Sequence, residues 1–223
     1  MDLGRPISTV VPSLDGPVLQ VLARADRMLS GRQIHRLAGA GSVAGVRLIL
    51  QRLTMTGLVH VHESGNALLY SLNRKHLAAQ AVELLADLRG TLISGLRAEI
   101  SAWSIAPIHA SLYGAAACRD DDAPAGDLDS DVDLLLIRPD EVAADNFLWE
   151  EQAAELLRTI VDMTGNPAQL YELSRTELAV HIATDEPIVD TWCNESVHLQ
   201  GPDFATLLRT LHPTDRDPIL LAL

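Results

Sequence analysis

The segment at residues 130–137, SDVDLLLI, restricts the fold of this chain most, because two aspartates open a run that is otherwise apolar. A short apolar run bounded by turn signals predicts a buried strand over residues 131–137. Side chains alternate between the two faces of a strand, so Asp131 and Asp133 are expected on the same face. Paired carboxylates are hard oxygen ligands of the kind that Mg²⁺ prefers. The sequence therefore predicts a magnesium site at the start of a buried strand.

The segments on either side of this strand alternate between strand and helix patterns. Gly114 ends a predicted strand, and Ser174-Arg175-Thr176-Glu177 forms a capping box that opens a helix. The predicted strands cover residues 108–113, 131–137 and 168–173, and further helices cover residues 147–164, a stretch from about 187, and about 202–211. The second half of the chain is thus expected to form a small mixed-sheet α/β domain with C-terminal helices.

Gly114 lies where a phosphate-binding turn is expected, between a strand and the turn or helix that follows it. Backbone N–H groups at a helix start, together with the helix dipole, favour an anion. A metal held by Asp131 and Asp133 would bridge triphosphate oxygens and offset the charge that builds up in the transition state. The glycine and the aspartate pair together predict nucleotide chemistry.

The segment HASLYGAAACRDDDAPAGDLDSDVDLLLI resembles the minimal nucleotidyltransferases of the polymerase-beta-like superfamily, and the resemblance extends over about residues 95–210. Their pattern is an apolar strand, Gly-Ser, Arg-Gly a few residues later, Ser-Asp-x-Asp with an apolar run, and a third carboxylate on a later strand. The resemblance implies a nucleoside triphosphate as substrate or ligand and Mg²⁺ as cofactor. It assigns nucleotide binding to Gly114, Ala115, Arg119 and Ser130, and metal binding and catalysis to Asp131 and Asp133.

Three positions depart from that family pattern. Ala115 stands where the family has serine, which removes a hydroxyl that contacts phosphate, and Cys118-Arg119 stands where Arg-Gly is expected. On the later strand AQLYEL the third carboxylate aligns with Gln169, whereas Glu172, the catalytic candidate there, is out of phase by one strand position. An amide does not replace a carboxylate as metal ligand and general base without loss. An active transferase and a domain that only binds nucleotide therefore both remain open.

The first third of the chain has the pattern of three short helices followed by a β-hairpin. Ser13, Ser30 and Ser42 are the predicted helix caps, and the helices extend to about residues 28, 38 and 56. Two alternating segments, 58–62 and 67–72, predict a hairpin around a four-residue loop. This layout is typical of a winged helix-turn-helix.

The third predicted helix combines an apolar stripe with a polar face, and the stripe consists of Val43, Val46, Leu50 and Leu53. The stretch LSGRQIHRLAGAGSVAGVRLILQRLTMTGLVHVHESGNALLYSLNR, within about residues 14–75, resembles the winged-helix domains of bacterial transcriptional regulators. That resemblance implies double-stranded DNA as the partner, read by the third helix and the hairpin. The DNA-binding candidates are Ser42, Arg47, Gln51 and Arg52 on the helix and His62 and Asn66 on the hairpin. Contact with a protein partner by the same domain is the alternative.

Charge and pattern together divide the chain into three parts. Residues 1–75 contain nine Lys/Arg and four Asp/Glu, a net charge of +5, whereas the other 148 residues contain eight and 26, a net charge of −18. A basic first third suits a polyanionic partner that the acidic remainder would repel. We expect an α+β chain with a winged-helix domain over 1–75, a linking and dimerisation helix over 76–104 that Gly90 and Gly95 bend or divide, and a nucleotidyltransferase-like domain over 105–223.

These features predict a DNA-binding transcriptional regulator whose nucleotidyltransferase-like domain binds a magnesium nucleotide and is a candidate for transferring a nucleoside monophosphate. The alternatives are an active nucleotidyltransferase that modifies a protein or RNA, and a component of a toxin–antitoxin pair that binds a toxin and represses its own operon. A homodimer is expected, since winged helices generally read two-fold sites. Two cysteines, the lack of a signal-peptide pattern and the lack of a bilayer-spanning apolar stretch predict a cytoplasmic protein with no membrane partner.

Overall fold

The computed structural model describes residues 1–117 and 131–211 of the 223-residue chain. These residues form an α+β structure, as the sequence predicts, with helices packed on two small sheets. They divide into two compact units: unit 1 comprises residues 1–94, and unit 2 comprises residues 95–117 and 131–211. No helix in these ranges is both long and apolar enough to span a membrane.

Unit 1 combines helices with a three-stranded antiparallel sheet. After a 3-10 turn (Pro6–Thr9), its elements are α1 (Asp15–Arg24), β1 (Leu29–Ser30), α2 (Gly31–Ala38), α3 (Val43–Met55), β2 (Val59–Ser64), β3 (Ala67–Leu72), α4 (Ala79–Ala86) and the first part of α5 (Leu88–Ser101). The strand order is β1-β3-β2. The three predicted helices and the hairpin are present, although α1 ends at Arg24 rather than near residue 28. The short strand β1 was not predicted.

Local polar contacts fix the ends of α2 and α3. The Ser30 hydroxyl accepts a hydrogen bond from the Gln33 backbone N–H at 3.3 Å, and the Gln33 side chain accepts one from the Ser30 N–H at 2.8 Å, which is a capping box. Gly39 ends α2 with a left-handed φ of 57°, which favours glycine. The Ser42 hydroxyl then accepts from the Gly45 N–H at 3.1 Å and starts α3. Two of the three predicted caps are therefore confirmed.

The core of unit 1 is built around one side of α3. Val46, Leu50 and Leu53 are at most 4% exposed, as the predicted stripe requires. They belong to one cluster with residues of α1, α2, α4 and the sheet, among them Val18, Leu22, Ile34 and Tyr70. Val43, the fourth residue of the predicted stripe, is 50% exposed, because it is the first residue of α3 and lies at the edge of the packed surface.

Two connections in unit 1 differ from the sequence prediction. The hairpin turn has two residues, Gly65 and Asn66, because β2 continues to Ser64, which pairs with Ala67. The segment predicted as a linking helix is divided at Asp87 into α4 and α5, because the backbone of Asp87 departs from helical angles. A side chain at position 90 would collide with the Asp87 carboxylate, so Gly90 leaves room for that carboxylate at the start of α5.

Unit 2 is a four-stranded mixed sheet with helices. It contains the rest of α5, then β4 (His109–Tyr113), a 3-10 turn (Gly114–Ala116), β5 (Val132–Arg138), α6 (Phe147–Thr164), β6 (Ala168–Ser174), α7 (Arg175–Ala183), α8 (Pro187–Asn194), β7 (Val197–Gln200) and α9 (Phe204–Leu211). The strand order is β6-β5-β4-β7; β5 and β6 are parallel, and β4 is antiparallel to both of its neighbours. The edge strand β7 was not predicted.

The central strand β5 is buried on both faces. Leu135 and Ile137 belong to a cluster with residues of the last three helices: Leu178, Trp192, Phe204 and Leu207. Leu134 and Leu136 point to the opposite face and are also fully buried. By the same alternation Asp133 points to the face that α7, α8 and α9 cover, at the N-terminal end of the strand. The strand therefore presents its polar start beside a packed apolar cluster.

Candidate functional site

Three side chains form a row across the sheet at the start of β5. Asp133 pairs with Tyr113 of β4 on one side and with Gln169 of β6 on the other. Directly paired residues of neighbouring strands project from the same face, so the phenol, the carboxylate and the amide lie side by side. Asp131, one residue before the strand, joins this row because the Gln169 side-chain NH₂ donates a hydrogen bond to its carboxylate. Both aspartates are partly exposed and are therefore accessible from solvent.

Gly114 brings backbone directly against the Asp133 carboxylate. Its φ of +64° lies in the left-handed region, which residues with a side chain rarely adopt. A Cβ at this position would be 2.8 Å from Asp133 Oδ2, so a larger residue would displace the carboxylate. The 3-10 turn that starts here also contains Ala115. Gly114 and Asp133, both predicted site residues, are therefore adjacent in the structure.

The site concentrates negative charge. Burial, and after it the neighbouring charge of Asp131, raises the pKa of the Asp133 carboxyl above its usual value. Burial, followed by the charges of Asp133 and Tyr171, raises the pKa of the Tyr113 phenol. A cation placed between the two carboxylates would relieve their mutual repulsion. The row is therefore electrostatically suited to a divalent cation.

The carboxylate oxygens at this site match one of the ways in which proteins bind magnesium. Mg²⁺ is usually held by one or two carboxylates, with waters and substrate phosphates completing its six oxygen ligands. Asp131 and Asp133 supply two carboxylates. Within residues 1–117 and 131–211, no group of three or more His, Cys, Asp and Glu side chains is placed to hold a metal. The two aspartates would thus leave most ligand positions of a magnesium ion to water or to the oxygens of a bound molecule.

Glu172, predicted as a catalytic carboxylate, lies elsewhere. It pairs with Leu136 and so projects from the face opposite Asp133. Its Oε1 accepts a hydrogen bond from Arg138 Nε at 2.8 Å, and the Arg138 side chain, only 7% exposed, also donates to the Val142 carbonyl. The structure gives Glu172 the role of counter-ion to a buried arginine and does not bring it to the aspartate pair. Arg119 and Ser130, the remaining nucleotide-binding candidates, lie outside the described residues.

The DNA-binding candidates of unit 1 lie on its surface. Arg47, Gln51 and Arg52 are exposed on α3, opposite the buried stripe, and so is the apolar Leu48. Arg52 forms an ion pair with Asp15 at the start of α1. The Ser42 side chain is engaged in the helix cap described above, which leaves its hydroxyl already bonded to backbone.

The hairpin candidates are exposed as well. His62 lies in β2, paired with Leu69, and Asn66 is the second residue of the two-residue turn. The hairpin follows α3 directly in the chain, and its tip is exposed. Both residues are therefore accessible to a partner.

Tyr113 was not predicted from the sequence to be part of the site. Its position immediately before Gly114 was visible, but its partner across the sheet depends on the register between β4 and β5. Likewise, the ion pair of Glu172 depends on Arg138, which lies on a neighbouring strand. The phase of alternation along β6 was the one signal that separated Glu172 from Gln169.

Comparison of this chain with protein-family models, curated proteins and solved structures finds no match. A function for the chain is therefore inferred from its residues and their geometry.

Proposed function

We propose that this protein is a DNA-binding transcriptional regulator whose unit 2 binds a magnesium nucleotide through a nucleotidyltransferase-like site. The observation that carries the proposal is the contact of Gly114 with Asp133, which puts a glycine turn against an aspartate pair at one end of the sheet. A turn able to hold phosphate and a pair of metal ligands are then adjacent, as binding of a metal–triphosphate complex requires.

The side chains of the row have distinct roles in this proposal. Asp131 and Asp133 would hold Mg²⁺, which supplies positive charge to offset the triphosphate when it is bound. Gly114 leaves room for the Asp133 carboxylate against the turn, because a Cβ there would lie 2.8 Å from Asp133 Oδ2, and the backbone N–H groups of the turn would contact the phosphate. Tyr113, packed against Trp192 with ring centroids 6.2 Å apart, holds the end of β4 in place.

Gln169 favours binding over transfer. It stands where the resembled family has its third carboxylate, and its NH₂ group, which carries no lone pair for a proton, faces Asp131. General-base catalysis needs a group that accepts a proton from the attacking hydroxyl. We therefore expect a nucleotide-binding regulator with little or no transferase activity, and the protein- or RNA-modifying enzyme remains the second candidate.

DNA binding is proposed for unit 1 because of the order of its secondary-structure elements and the net positive charge of residues 1–75. The order helix, strand, helix, helix and hairpin (α1, β1, α2, α3, then β2 and β3) supports the proposal, because it matches the layout expected for a winged helix. In this arrangement α3 enters the major groove, and Arg47 and Gln51 are exposed one helical turn apart on its outer face. A homodimer is expected to read a two-fold operator. A toxin as partner stays a prediction.

The nucleotide proposal is tested by calorimetric titration of the full chain with ATP and GTP, in Mg²⁺ and in EDTA. Asp131→Asn and Asp133→Asn are expected to abolish the magnesium-dependent part of binding. Asp162→Asn, which removes the same charge from an exposed position of α6, is the matched control and is expected to bind as the wild type does. Magnesium-independent binding, or equal binding by all variants, would contradict the proposed site.

The DNA proposal is tested with a duplex from the protein's own promoter region. Arg47→Ala is expected to weaken binding and to flatten the salt dependence by about one unit, the effect of one lost phosphate contact. Lys75→Ala is the matched control, because it removes one charge beyond the end of β3, away from the hairpin turn. Binding that is absent, or that does not respond to salt, would leave protein contact as the role of α3.

A further inference from the structure

Unit 1 contains a cavity of about 640 Å³ that neither proposed role uses. Its walls come from the segment before the first 3-10 turn, α1, the segment between α1 and α2, the end of α2 and the junction of α4 with α5. Pockets that hold small molecules usually have volumes of roughly 300–1,000 Å³. The cavity is therefore large enough for a small organic ligand.

The charge of the cavity wall selects the class of ligand. Its charged lining residues are Arg5, Arg24, Arg27, Arg89, Asp26 and Asp87. Four cations against two anions leave a net charge of +2 on the wall. A phosphate monoester carries about −1.5 to −2 at pH 7, and guanidinium groups bind phosphate oxygens through paired hydrogen bonds. The wall therefore favours a phosphate monoester over a neutral or cationic molecule.

Two of the four arginines have guanidinium groups available to a ligand. In the described part of the chain, the side chains of Arg5 and Arg27 have no hydrogen-bond or ion-pair partner. Arg5 Nη2 lies 3.0 Å from the position that a Cβ on Gly39 would occupy, at the end of α2. Arg24 is different, because its Nη2 donates to the Ala86 carbonyl at 2.9 Å and so links α1 to α4. Arg5 and Arg27 can therefore bind phosphate without breaking a contact of the fold.

Apolar side chains line the same cavity and provide a surface for the organic part of a ligand: Val21, Leu29, Leu37 and Ile93. Leu37 is 48% exposed, so its side chain is accessible to a ligand in the cavity. We propose that the cavity of unit 1 binds a small phosphate monoester, with Arg5 and Arg27 holding the phosphate and the apolar wall holding the organic group. This site is formed by residues of unit 1 alone, whereas the aspartate pair belongs to unit 2, and it does not depend on magnesium.

The experiment uses phenyl phosphate and AMP as probes, with phenol and adenosine as their unphosphorylated counterparts. Binding to the full chain is measured by calorimetry and by thermal unfolding in EDTA, so that magnesium-dependent binding in unit 2 does not contribute. At least one phosphorylated probe is expected to bind and to raise the unfolding temperature, and the matching unphosphorylated probe is not. Asp133→Asn is expected to bind the probe as the wild type does.

Variants of Arg5 and Arg27 test whether the positive charge of these side chains is what binds the phosphate. Arg5→Gln/Arg27→Gln is expected to weaken binding of the phosphorylated probe at least tenfold, whereas Arg5→Lys/Arg27→Lys retains the charge and is expected to lose less. Arg32→Gln, which removes one charge from α2 outside the cavity, is the matched control. Neither substituted arginine supports the fold, so the unfolding temperature without ligand should not change. Binding by neither probe at millimolar concentration, equal binding by the glutamine variant, or equally tight binding of phenol and adenosine would overturn the proposal.

Discussion

Gln169→Glu is the most direct test of the proposed role of the aspartate pair. It places a third carboxylate beside Asp131 and Asp133, at the position where this chain has an amide. The native amide donates a hydrogen bond to Asp131 and pairs in register with Asp133. A glutamate at this position would keep the size of the side chain, lose the donor and add a third negative charge. Its effect on stability should therefore depend on whether a divalent cation is present.

In the absence of magnesium, two contributions determine how much Gln169→Glu lowers the free energy of unfolding. The lost hydrogen bond to a carboxylate at this exposed position contributes about 1 kcal/mol. Repulsion between two charges about 4 Å apart in a water-like dielectric adds about 1 kcal/mol at low salt. The free energy of unfolding should therefore fall by about 2 kcal/mol in EDTA, which corresponds to roughly 4–8 °C in the unfolding temperature for a chain of this length.

Magnesium should reverse the sign of this effect. A cation present at about 100 times its dissociation constant from the variant stabilises the variant by about 2.7 kcal/mol, which exceeds the expected loss, whereas the wild type, with two carboxylates, should gain little from the free ion. The assay is thermal unfolding of the wild type and Gln169→Glu in EDTA and in a magnesium series. Gln169→Ala removes the hydrogen bond without adding charge and should not respond to magnesium more than the wild type. The reasoning is refuted if Gln169→Glu loses the same stability in EDTA and in Mg²⁺, or if adding Asp131→Asn leaves its magnesium response unchanged.

Three further predictions concern single positions. Gly114→Ala should lower the free energy of unfolding by about 1–3 kcal/mol, owing to the left-handed φ and the contact with Asp133, and should remove nucleotide binding; wild-type values in urea unfolding and nucleotide titration would contradict this. Ser42→Ala should reduce stability by about 1 kcal/mol in urea unfolding through loss of the α3 cap, whereas Ser42→Asp should preserve it. Burial lowers the pKa of His109, against the opposing effect of its hydrogen bond to the Pro202 carbonyl, so the unfolded state binds the proton more readily. Stability should therefore decline as the pH falls below about 6.5, and a stability unchanged between pH 7.5 and 5 by urea unfolding would oppose this account.

The elements that sequence reasoning predicted correctly are those with local causes. Ser30 and Ser174 form capping boxes with the residue three positions later, and Gly165 ends α6 in a left-handed conformation. Such contacts involve neighbours in the sequence, so the residue types alone indicate them. The same holds for the buried stripe of α3, which follows helical periodicity.

The features that were missed depend on distant partners. β7 lies at the edge of the sheet beside β4, and its four residues, VHLQ, are too few for alternation to identify. The linking helix, for which the sequence indicated a bend or division at Gly90 or Gly95, is divided at Asp87 instead, where the apolar spacing continues across the break and does not mark its position. The ion pair of Glu172 with Arg138 required knowledge of how β5 and β6 align. The sequence pattern predicted which residues share a face of each strand, but it did not predict how neighbouring strands align.

The hydrogen bond of Gln169 to Asp131 also bears on why such a site would serve a regulator. In a row of three carboxylates the charges repel each other until a metal binds, so the apo site is poorly ordered for its ligand. An amide donor instead stabilises Asp131 without any cation, and the geometry of the pair is set before the nucleotide arrives. An amide at position 169, in place of a carboxylate, also lacks the proton acceptor that transfer requires. Under the proposed function, one residue change therefore improves the preorganisation for binding and reduces turnover, so that a bound nucleotide persists long enough to report its concentration.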